Sequence, residues 1–522
     1  MRKISILSVI LLGGLFSPLN PAMAGEPVRG GTLVIGIPDD PDRLDGHRIH
    51  GAMGYWLTTG SLYNSLVTGG EKNDVVPDLA QSWEKKEGGK VWDFKLHQGV
   101  KFHDGSELTA EVVKWNYERA LDAKVGWADR GDFIKLVERI ESVDKYTVRF
   151  YLKRPSQIFH IAPLSIMGQG LPMVSRQAVE KWGFKDFDSH VVGTGPFKLV
   201  EWRRDDRIIL VRNDNYFKEG LPYFDKIVFR IIKDGNTRFS ALRAGEIHIM
   251  FDLPPEMVPV IQKTTGVTYM KSQPCSYVWL LLNCDPEAEK VGSAFFKDIR
   301  VRQAISMAID RDELVRLVVP GAGEPAYGGP LPTGHPFYHK VDWVKYDPEQ
   351  AKKLLQEAGY PKLKFTMETN NSKARFVRGL EVIKEQLSRI GVETDIKVYE
   401  KASHYPRLLV KPGLYHAYLE DYEFSLDAST YLARYLPTGA GQNRNRYSNK
   451  EFDELLEEGL VEGDFQKRKK LYDQAQEIVI KECPLIHLWY GIEDMAVNNK
   501  LKGYIFTAYF TAMKFEKAYL EK

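Results

Sequence analysis

The sequence predicts a mixed α/β protein with two or more lobes, and three observations lead to this prediction. With 522 residues, the chain exceeds the size that one hydrophobic core usually serves. Strand and helix periodicities are intermixed along the chain, as in α/β lobes around an incompletely parallel sheet. Residues 363–398 follow the order strand, helix, strand, which makes a parallel pair with a right-handed crossover.

The amino-terminal segment has the pattern of a secretory signal peptide. Two basic residues precede an apolar run over residues 4–16, and a small-residue cleavage site ends at Ala24. The run is too short to cross a bilayer, and no later apolar stretch reaches about 18 residues. Because the first cysteine is Cys275, no cysteine stands at the cleavage site to take a lipid. We therefore expect residues 1–24 to be cleaved and the protein to be periplasmic, not a lipoprotein.

The composition is that of an ordinary globular protein, with 43% hydrophobic and 27% charged residues. Lys and Arg total 72 against 70 Asp and Glu, and the basic residues Arg2 and Lys3 lie in the signal peptide. The mature chain therefore has no basic excess. This balance argues against nucleic acid or an anionic membrane as a partner.

In the first half of the chain, two helices are predicted between strands of period two. One helix begins at Thr109. The other begins at Asn236 or Thr237, runs through Leu242 and is closed by Gly245. The predicted strands are 32–35, 91–96, 146–152, 208–211, 227–231 and 247–249.

Residues 283–332 predict two helices and a loop. Asp310 caps the second helix, with Glu313 completing a capping box, and Pro320-Gly321 ends it. The next twelve residues, GAGEPAYGGPLP, are so rich in Gly and Pro that we expect an ordered loop. The first helix is marked by an apolar stripe at Val301, Ala304, Ile305, Ala308 and Ile309.

The second half continues with helices whose caps can be read from the sequence. Asp347 caps a helix that ends at Gly359, Ser448 with Glu451 forms a capping box, and Asp464 begins a further helix. The remaining elements are a strand at 363–367, a helix at 376–390, and strands at 392–398 and 484–490.

The three cysteines allow at most one disulfide. Cys275 and Cys284 flank a strand that spans roughly 30 Å, whereas bridged Cα atoms lie within about 7 Å. We therefore expect no bridge between these two and expect Cys483 to be buried and free.

No catalytic or metal-binding constellation stands out. His103-Asp104 suggests a dyad, but nothing nucleophilic accompanies it, and a turn bonded to its own backbone is the favoured interpretation. The histidine pairs at 47/50 and 335/339 lack the acidic or cysteine residues that would complete a metal site. We expect neither a cofactor nor a bound metal.

Several blocks of the chain resemble one protein family. They are SWE followed by WDFKLHQGVKFHDGSELTAEVV (residues 82–113), GTGPFKLVEW (193–202), FFKDIRVRQA and AIDRDEL (295–314), and PLP (330–332). These blocks are similar to the extracytoplasmic solute-binding proteins of family 5, the dipeptide-, oligopeptide- and nickel-binding receptors of ABC importers. The resemblance extends over nearly the whole mature chain.

The resemblance implies a two-lobed periplasmic-binding-protein fold (type II, cluster C-like), with an inserted subdomain and a hinge between the lobes. It places the first lobe at 25–68, 191–274 and 492–522, the inserted subdomain at 69–190, and the second lobe at 275–491.

The implied function is capture of a small solute between the lobes and its delivery to an inner-membrane ABC permease. Peptide is the commonest solute of the family, and an oligosaccharide, opine or metal chelate is the alternative. We expect a monomer that is not an enzyme. The rival hypothesis is a secreted hydrolase that uses His103-Asp104 or the carboxylates of Glu420 and Asp421, since a glycosidase needs two carboxylates across a cleft.

One departure from the family pattern concerns amine recognition. Peptide receptors carry an aspartate for the α-amino group three residues before the acidic residue of an Asp/Glu-Pro pair. Here Asp427-Ala428 resembles that pair, and the position three residues earlier is Phe424. Only a three-residue insertion would let Asp421-Tyr422 take the role. Solvated loop carboxylates are the alternative interpretation of Asp421 and Glu420.

Aromatic residues are the other candidate ligand contacts, because Trp and Tyr combine a large rigid surface with a polar tip. Tyr277 and Trp279 share one face of a strand at the lobe boundary. The remaining candidates are Tyr405 beside His404, and Trp127 in the inserted subdomain.

Overall fold

The structure is a computed structural model of the 522-residue chain. It describes residues 27–49, 52–70, 74–127, 130–161, 170–272, 274–285, 287–327, 329–341, 345–400, 414–423, 427–440, 442–504, 506 and 514–521. The predicted sites His404, Tyr405 and Phe424 lie outside these ranges, as does the predicted signal peptide.

The described strands and helices are intermixed along the chain. The strands are β1 (Thr32–Ile37), β2 (Val67–Gly69), β3 (Val75–Pro77), β4 (Ala80–Lys86), β5 (Val91–Leu96), β6 (Val137–Asp144), β7 (Thr147–Leu152), β8 (Phe197–Arg203), β9 (Arg207–Arg212), β10 (Lys226–Ile231), β11 (Ile249–Phe251), β12 (Val267–Lys271), β13 (Ser276–Leu282), β14 (Gly323–Pro325), β15 (Leu363–Asn370), β16 (Val392–Tyr399), β17 (Ala417–Glu423), β18 (Leu485–Gly491), β19 (Asp494–Asn498), β20 (Leu501–Lys502) and β21 (Tyr519–Leu520). The helices are α1 (Ala52–Thr58), α2 (Ala110–Leu121), α3 (Arg130–Leu136), α4 (Arg176–Asp186), α5 (Gly235–Arg243), α6 (Val258–Ile261), α7 (Ile299–Met307), α8 (Arg311–Val318), α9 (Pro348–Glu357), α10 (Ala374–Ser388), α11 (Ala428–Tyr435), α12 (Lys450–Val461) and α13 (Phe465–Glu482).

The first lobe is built on a seven-stranded sheet with the order β12-β19-β11-β1-β10-β9-β8. Strand β1 lies parallel to both β10 and β11, whereas β19 is antiparallel to β11 and β12. Inward-facing residues such as Leu33, Ile35 and Phe229 are fully buried in its core. Strand β19 enters this sheet only after the chain has passed through the second lobe.

The subdomain is a four-stranded antiparallel sheet with the order β4-β5-β7-β6. Its core is aromatic: Phe94 and Phe150 meet edge to face at 5.6 Å, and Phe159 packs 5.2 Å from Phe150. Helix α2 covers this sheet, with Thr109 accepting a hydrogen bond from the Val112 amide as its cap, as the sequence predicts.

The second lobe holds a six-stranded sheet with the order β14-β18-β13-β17-β15-β16. Strands β15 and β16 are parallel and α10 connects them, which confirms the predicted strand-helix-strand unit. One sheet face packs on a core that includes Ile305 of α7 and Leu380 of α10. The opposite face packs on a core that includes Tyr431 of α11 and Tyr472 of α13. This two-lobed α/β architecture is the fold class that the sequence predicts.

Several local predictions were wrong in detail. The Asp310 carboxylate accepts a hydrogen bond from the Glu313 amide, as predicted. The Glu313 carboxylate, however, accepts from Gln386 of α10 and from Arg389 at its end. These tertiary contacts replace the second hydrogen bond of the predicted capping box. Within the predicted Gly/Pro loop, residues 323–325 pair with β18 as an edge strand, β14. Edge positions tolerate Gly and Pro because only one side of the strand must be hydrogen-bonded.

Two helix starts and one strand were also displaced. Asp234 caps α5 by accepting from the Thr237 amide, and Asn449 rather than Ser448 caps α12 by accepting from the Phe452 amide. The strand predicted at 247–249 begins two residues later, as β11 (Ile249–Phe251). The Val34 amide of β1 donates to the His248 ring, so it does not form a backbone hydrogen bond with this part of the chain.

The cysteine predictions are confirmed. Cys275, Cys284 and Cys483 form no disulfide bond with one another, and Cys483 is buried. Among the described residues, no helix is long and apolar enough to cross a membrane, and no group of three or more His, Cys, Asp or Glu side chains could hold a metal ion.

Candidate functional site

Two strands cross between the lobes side by side. The Cys275 amide donates to the Gly491 carbonyl and the Ser272 amide to the Glu493 carbonyl, both at 2.9 Å. The Ser272 hydroxyl in turn accepts from the Glu493 amide at 3.1 Å. A Cβ atom at Gly491 would lie 2.3 Å from the Ser276 hydroxyl, so any larger residue there would force the serine side chain to move. The crossings therefore form a single hydrogen-bonded hinge.

Carboxylates gather where the hinge meets the first sheet. Asp252 follows β11, and Glu493 and Asp494 end the second crossing. The Tyr269 hydroxyl of β12 donates to the Asp494 carboxylate at 3.2 Å. Burial, and then the negative charge of Glu493, raise the pKa of the Asp494 carboxyl to about 7. The floor of the cleft is therefore acidic.

Two basic residues face this floor from the second lobe. Lys373 is the amino-terminal cap residue of α10 but gives it no side-chain cap, and Arg375 lies in the first turn. Their side chains bind Asp421 of β17, with distances of 2.5 Å from Lys373 and 3.3 Å from Arg375. Burial alone would lower the pKa of the Arg375 guanidinium, but Asp421 and Glu493 raise it above its ordinary value.

Side chains alternate between the two faces of the sheet along β17, so Asp421 lies on the opposite face from Glu420 and Tyr422. Asp421 is opposite Val278, on the face that packs on α10, whereas Tyr422 and Glu420 are opposite Tyr277 and Trp279 on the other face. Burial would raise the pKa of the Asp421 carboxyl, but Lys373 and Arg375 hold it below its ordinary value. Asp421 is therefore an ion-paired anion, and the interpretation of a simple solvated carboxylate is wrong.

The face with Tyr422 carries an aromatic cluster. The Tyr277 ring lies 4.5 Å from Trp279 and 4.6 Å from Tyr431, and Trp279 lies 5.9 Å from Tyr422. Tyr277 and Trp279 are at most 1% exposed, and Tyr422 is half-buried. The structure thus brings these three candidates together, with only Tyr422 presenting surface in this conformation. Direct contact of Tyr277 and Trp279 with a ligand stays a prediction.

Two buried ion pairs support this face. Arg444 binds Glu420 at 2.5 Å and donates to the Tyr422 hydroxyl at 3.1 Å. Burial outweighs this partner and raises the pKa of the Glu420 carboxyl.

The second pair joins Asp427, the cap of α11, to Arg468 with contacts of 2.5 and 2.6 Å. Burial would raise the pKa of the Asp427 carboxyl, but Arg468 lowers it. Within residues 420–427, side chains are described for three carboxylates: Glu420, Asp421 and Asp427. Each of the three has a cationic partner.

Trp127 lies apart from these groups. Its ring packs 5.3 Å from Phe133 in the subdomain core and is 5% exposed. The structure therefore does not bring Trp127 together with Tyr422 or Asp421, and its role in ligand binding stays a prediction.

The His103-Asp104 pair is a turn, as the sequence favours. The His103 ring is bonded to backbone at both nitrogens, and Asp104 accepts from Ser106 and Ser175. Burial lowers the pKa of His103 to about 4.

Sequence reasoning missed Lys373 and Arg375. A signal was present, because two basic residues at the start of a predicted helix oppose the helix dipole, which favours acidic residues there. Such a placement indicates that an anion is held nearby.

Two lobes joined by a paired-segment hinge, with charged groups of both lobes beside it, are typical of the class of solute-binding receptors that close on a ligand. The chain matches the Bacterial extracellular solute-binding proteins, family 5 Middle, over residues 74–450, and it belongs to this family. The recognition from sequence is thereby confirmed.

Three similar proteins illustrate the range of this family. The oligopeptide-binding protein AppA of Bacillus subtilis (strain 168) is 29% identical over 523 residues, covering 96% of this chain and 93% of AppA. The Helicobacter pylori DppA structure in complex with the peptide STSA has a TM-score of 0.80 at 29% identity and covers 95% of this chain and 99% of that one. AgaA from A. tumefaciens R10 in complex with agropinic acid has a TM-score of 0.80 at 25% identity, with coverage of 94% and 99%.

Proposed function

We propose that this protein is a periplasmic receptor that captures a peptide or similar small solute between its lobes and delivers it to an inner-membrane ABC permease. The observation that carries the proposal is the hinge, in which two hydrogen-bonded segments connect the lobes and charged groups of the two lobes, Arg375 and Glu493, lie near each other. The oligopeptide-binding relative and the peptide-bound DppA neighbour support peptide as the first candidate solute.

Lys373 and Arg375 would hold a carboxylate of the solute. Two cations share the single carboxylate of Asp421 and remain partly exposed, with 40% and 31% of their side chains accessible. A guanidinium binds a carboxylate through two parallel hydrogen bonds, which gives both affinity and orientation. An entering carboxylate would share these two cations with Asp421 and Glu493.

A carboxylated solute without a free amino group is the second candidate. Glu420, Asp421 and Asp427 are each already paired with a cation, so none is available to bind an α-ammonium without breaking an ion pair. Breaking a buried pair is costly because the abandoned charge is left unsatisfied. The AgaA neighbour with agropinic acid supports this alternative.

The remaining features follow from the same proposal. We infer that the signal peptide is cleaved after Ala24, and that the mature protein is a soluble monomer rather than a lipoprotein. The first lobe would comprise 25–68, 191–274 and 492–522, the inserted subdomain 69–190, and the second lobe 275–491. The three sheets draw their strands from these ranges.

We further propose that the protein leaves its solute chemically unchanged. The carboxylates that a hydrolase would use, Glu420 and Asp421, point to opposite faces of β17 and are each ion-paired. A glycosidase needs both carboxyl groups on one substrate, about 5–10 Å apart. Solute recovered intact after long incubation with the protein would support this proposal.

The experiment that tests the proposal begins with mass spectrometry of whatever co-purifies with the protein. Calorimetry then compares a free peptide with its N-acetylated form, on wild type and on Asp421→Asn. We expect N-acetylation to change affinity little and Asp421→Asn to leave it equal or higher, since the variant removes a competing anion. Tight binding of the free peptide alone, abolished by Asp421→Asn, would overturn the second candidate and assign amine recognition to Asp421.

A further inference from the structure

A cavity of about 330 Å³ lies between the subdomain and the second lobe. The subdomain lines it with Val75, Ile158 and Ile161, and the second lobe lines it with Phe337 and Phe465. Its volume falls in the range that small-molecule sites occupy. An apolar stem can therefore be buried here.

Contact between the two units shapes this cavity. Val75 and Ile161 pack against the second-lobe core, and a Cβ atom on Gly463 would lie 3.2 Å from the Gln157 amide oxygen. Glycine at 463 therefore allows the α12–α13 turn to approach the subdomain closely. The cavity exists only when the subdomain and the second lobe are together.

The charges that line the cavity are predominantly negative. Arg468 neutralises Asp427 within the wall. Asp74 from the subdomain and Glu462 from the second lobe also line the cavity, and neither has an ion pair among the described residues. Lys85 donates to Gln157 nearby but is not part of the lining. Two like charges contributed from opposite sides repel each other, and a cation between them removes that repulsion.

His160 adds a neutral aromatic ring to the apolar wall. Its ring stacks on Trp83 at 5.6 Å and on Trp92 at 5.2 Å, which fixes its orientation. Burial lowers the pKa of His160 to about 4, so the ring is neutral at pH 7. Its buried Nδ1 atom has no hydrogen-bond partner among the described residues. The His160 ring therefore contributes an uncharged, rigid surface to the cavity wall, while its Nδ1 atom is covered by protein.

We propose that this cavity binds an aliphatic organic cation, with its stem against Ile158, Phe337 and Phe465 and its ammonium or guanidinium group between Asp74 and Glu462. The cation is either a basic side chain of a captured peptide or a free alkylamine. This inference goes beyond the proposed function because it does not depend on how the solute's carboxylate is held. By binding both units, such a cation would favour the closed arrangement.

Calorimetry with hexylammonium chloride and 1-hexanol at pH 7 tests the inference, because the two probes share a stem and differ in charge. We expect hexylammonium to bind at least about tenfold more tightly, and Glu462→Gln to weaken it about fivefold, as for one partly exposed charge pair. Glu457→Gln, on the exposed side of α12 and outside the cavity, is the matched control and should bind as wild type does. Equal binding of the two probes, no binding of either, or an unchanged affinity in Glu462→Gln would overturn the inference.

A second arm distinguishes the two sources of the cation. Tripeptides that differ only in lysine or norleucine are compared on wild type and Glu462→Gln. A preference for lysine that Glu462→Gln abolishes assigns the cavity to a peptide side chain. Equal peptide affinities, together with selective hexylammonium binding, assign it to a free amine. If neither peptide binds, the proposed function of peptide capture fails. The hexylammonium result still shows whether the cavity binds an organic cation.

Discussion

At the scale of single residues, the ion pairs decide what the cleft can accept. Along β17 the side chains alternate, so Glu420 and Tyr422 face the aromatic cluster while Asp421 faces Lys373 and Arg375. A carboxylate held by two cations is a poor partner for a third, because binding an ammonium would weaken both existing contacts. The same pair of cations is well suited to a second anion.

We predict that Arg375→Gln weakens binding of a carboxylated solute by about 1.5–3 kcal/mol, or roughly ten- to hundredfold, as for a lost hydrogen bond to a charged group. Lys373 still pairs with Asp421 in this variant, so the melting temperature of the ligand-free protein should change little. Calorimetry measures the affinity. Arg378→Gln, one turn away on the exposed face of α10, is the control. A similar loss of affinity in both variants would show a general effect of charge rather than a contact at Arg375.

We predict that Tyr277→Ala lowers the free energy of unfolding by about 3–5 kcal/mol, as for other large aromatic truncations in cores. The ring is 1% exposed and packs between Trp279 and Tyr431, so truncation leaves a void that the neighbours cannot fill. Urea denaturation of the ligand-free protein measures the loss. A variant with wild-type stability and reduced solute affinity would instead make Tyr277 a direct ligand contact, as the sequence suggests.

At the scale of secondary-structure elements, the hinge concentrates titratable groups. Asp494 begins β19, and Glu493, Asp252 and Tyr269 surround it from the crossing segment, β11 and β12. Tyr269 and Asp494 lie on adjacent strands of the first-lobe sheet, and Glu493 lies in the crossing segment beside them. Protonation at this point therefore affects the stability of the fold where the two lobes join.

We predict that wild type loses stability between about pH 4 and pH 7 relative to Asp494→Asn. The pKa of Asp494 is raised from 3.8 to about 7 in the folded state, so the folded protein binds a proton that the unfolded chain releases. The resulting stabilisation is complete below about pH 4 and disappears as pH rises through 7, with a ceiling on the order of 4 kcal/mol. Denaturation of both proteins across this pH range measures it. Parallel profiles for the two proteins would contradict the prediction.

Elements with strong local signals could be predicted from the sequence, and groups assembled from distant segments could not. The β15-α10-β16 unit was correct because its periodicity and end signals lie within one stretch. The pairing of Asp421 with Lys373 joins residues 48 positions apart on different elements, which no local pattern reports. The cavity that contains Asp74, His160 and Arg468 depends on contact between the subdomain and the second lobe. Edge strand β14 was missed because its composition is that of a loop.

At the scale of the whole molecule, solute binding should close the lobes and stabilise the fold. A ligand selective for the native state adds RT ln(1 + [L]/Kd), so about 100-fold saturation gives roughly 2.7 kcal/mol. Thermal shifts across panels of peptides, oligosaccharides, opines and metal chelates should single out one class, and small-angle scattering should show compaction with that class alone. The protein is first unfolded and refolded to remove co-purified solute. If no compound in the panels then changes its melting temperature, the proposal that the protein is a receptor is contradicted.

The central position of β19 sets the order in which this chain can finish folding. All strands of the second lobe lie between residues 276 and 491, so that lobe can assemble as soon as this stretch has been synthesised. The first sheet cannot, because β19 separates β11 from β12 and supplies residues 494–498 to both. Until almost the last residues emerge from the ribosome, β12 has no partner within its sheet. The first lobe is therefore completed last, after the whole second lobe has been made.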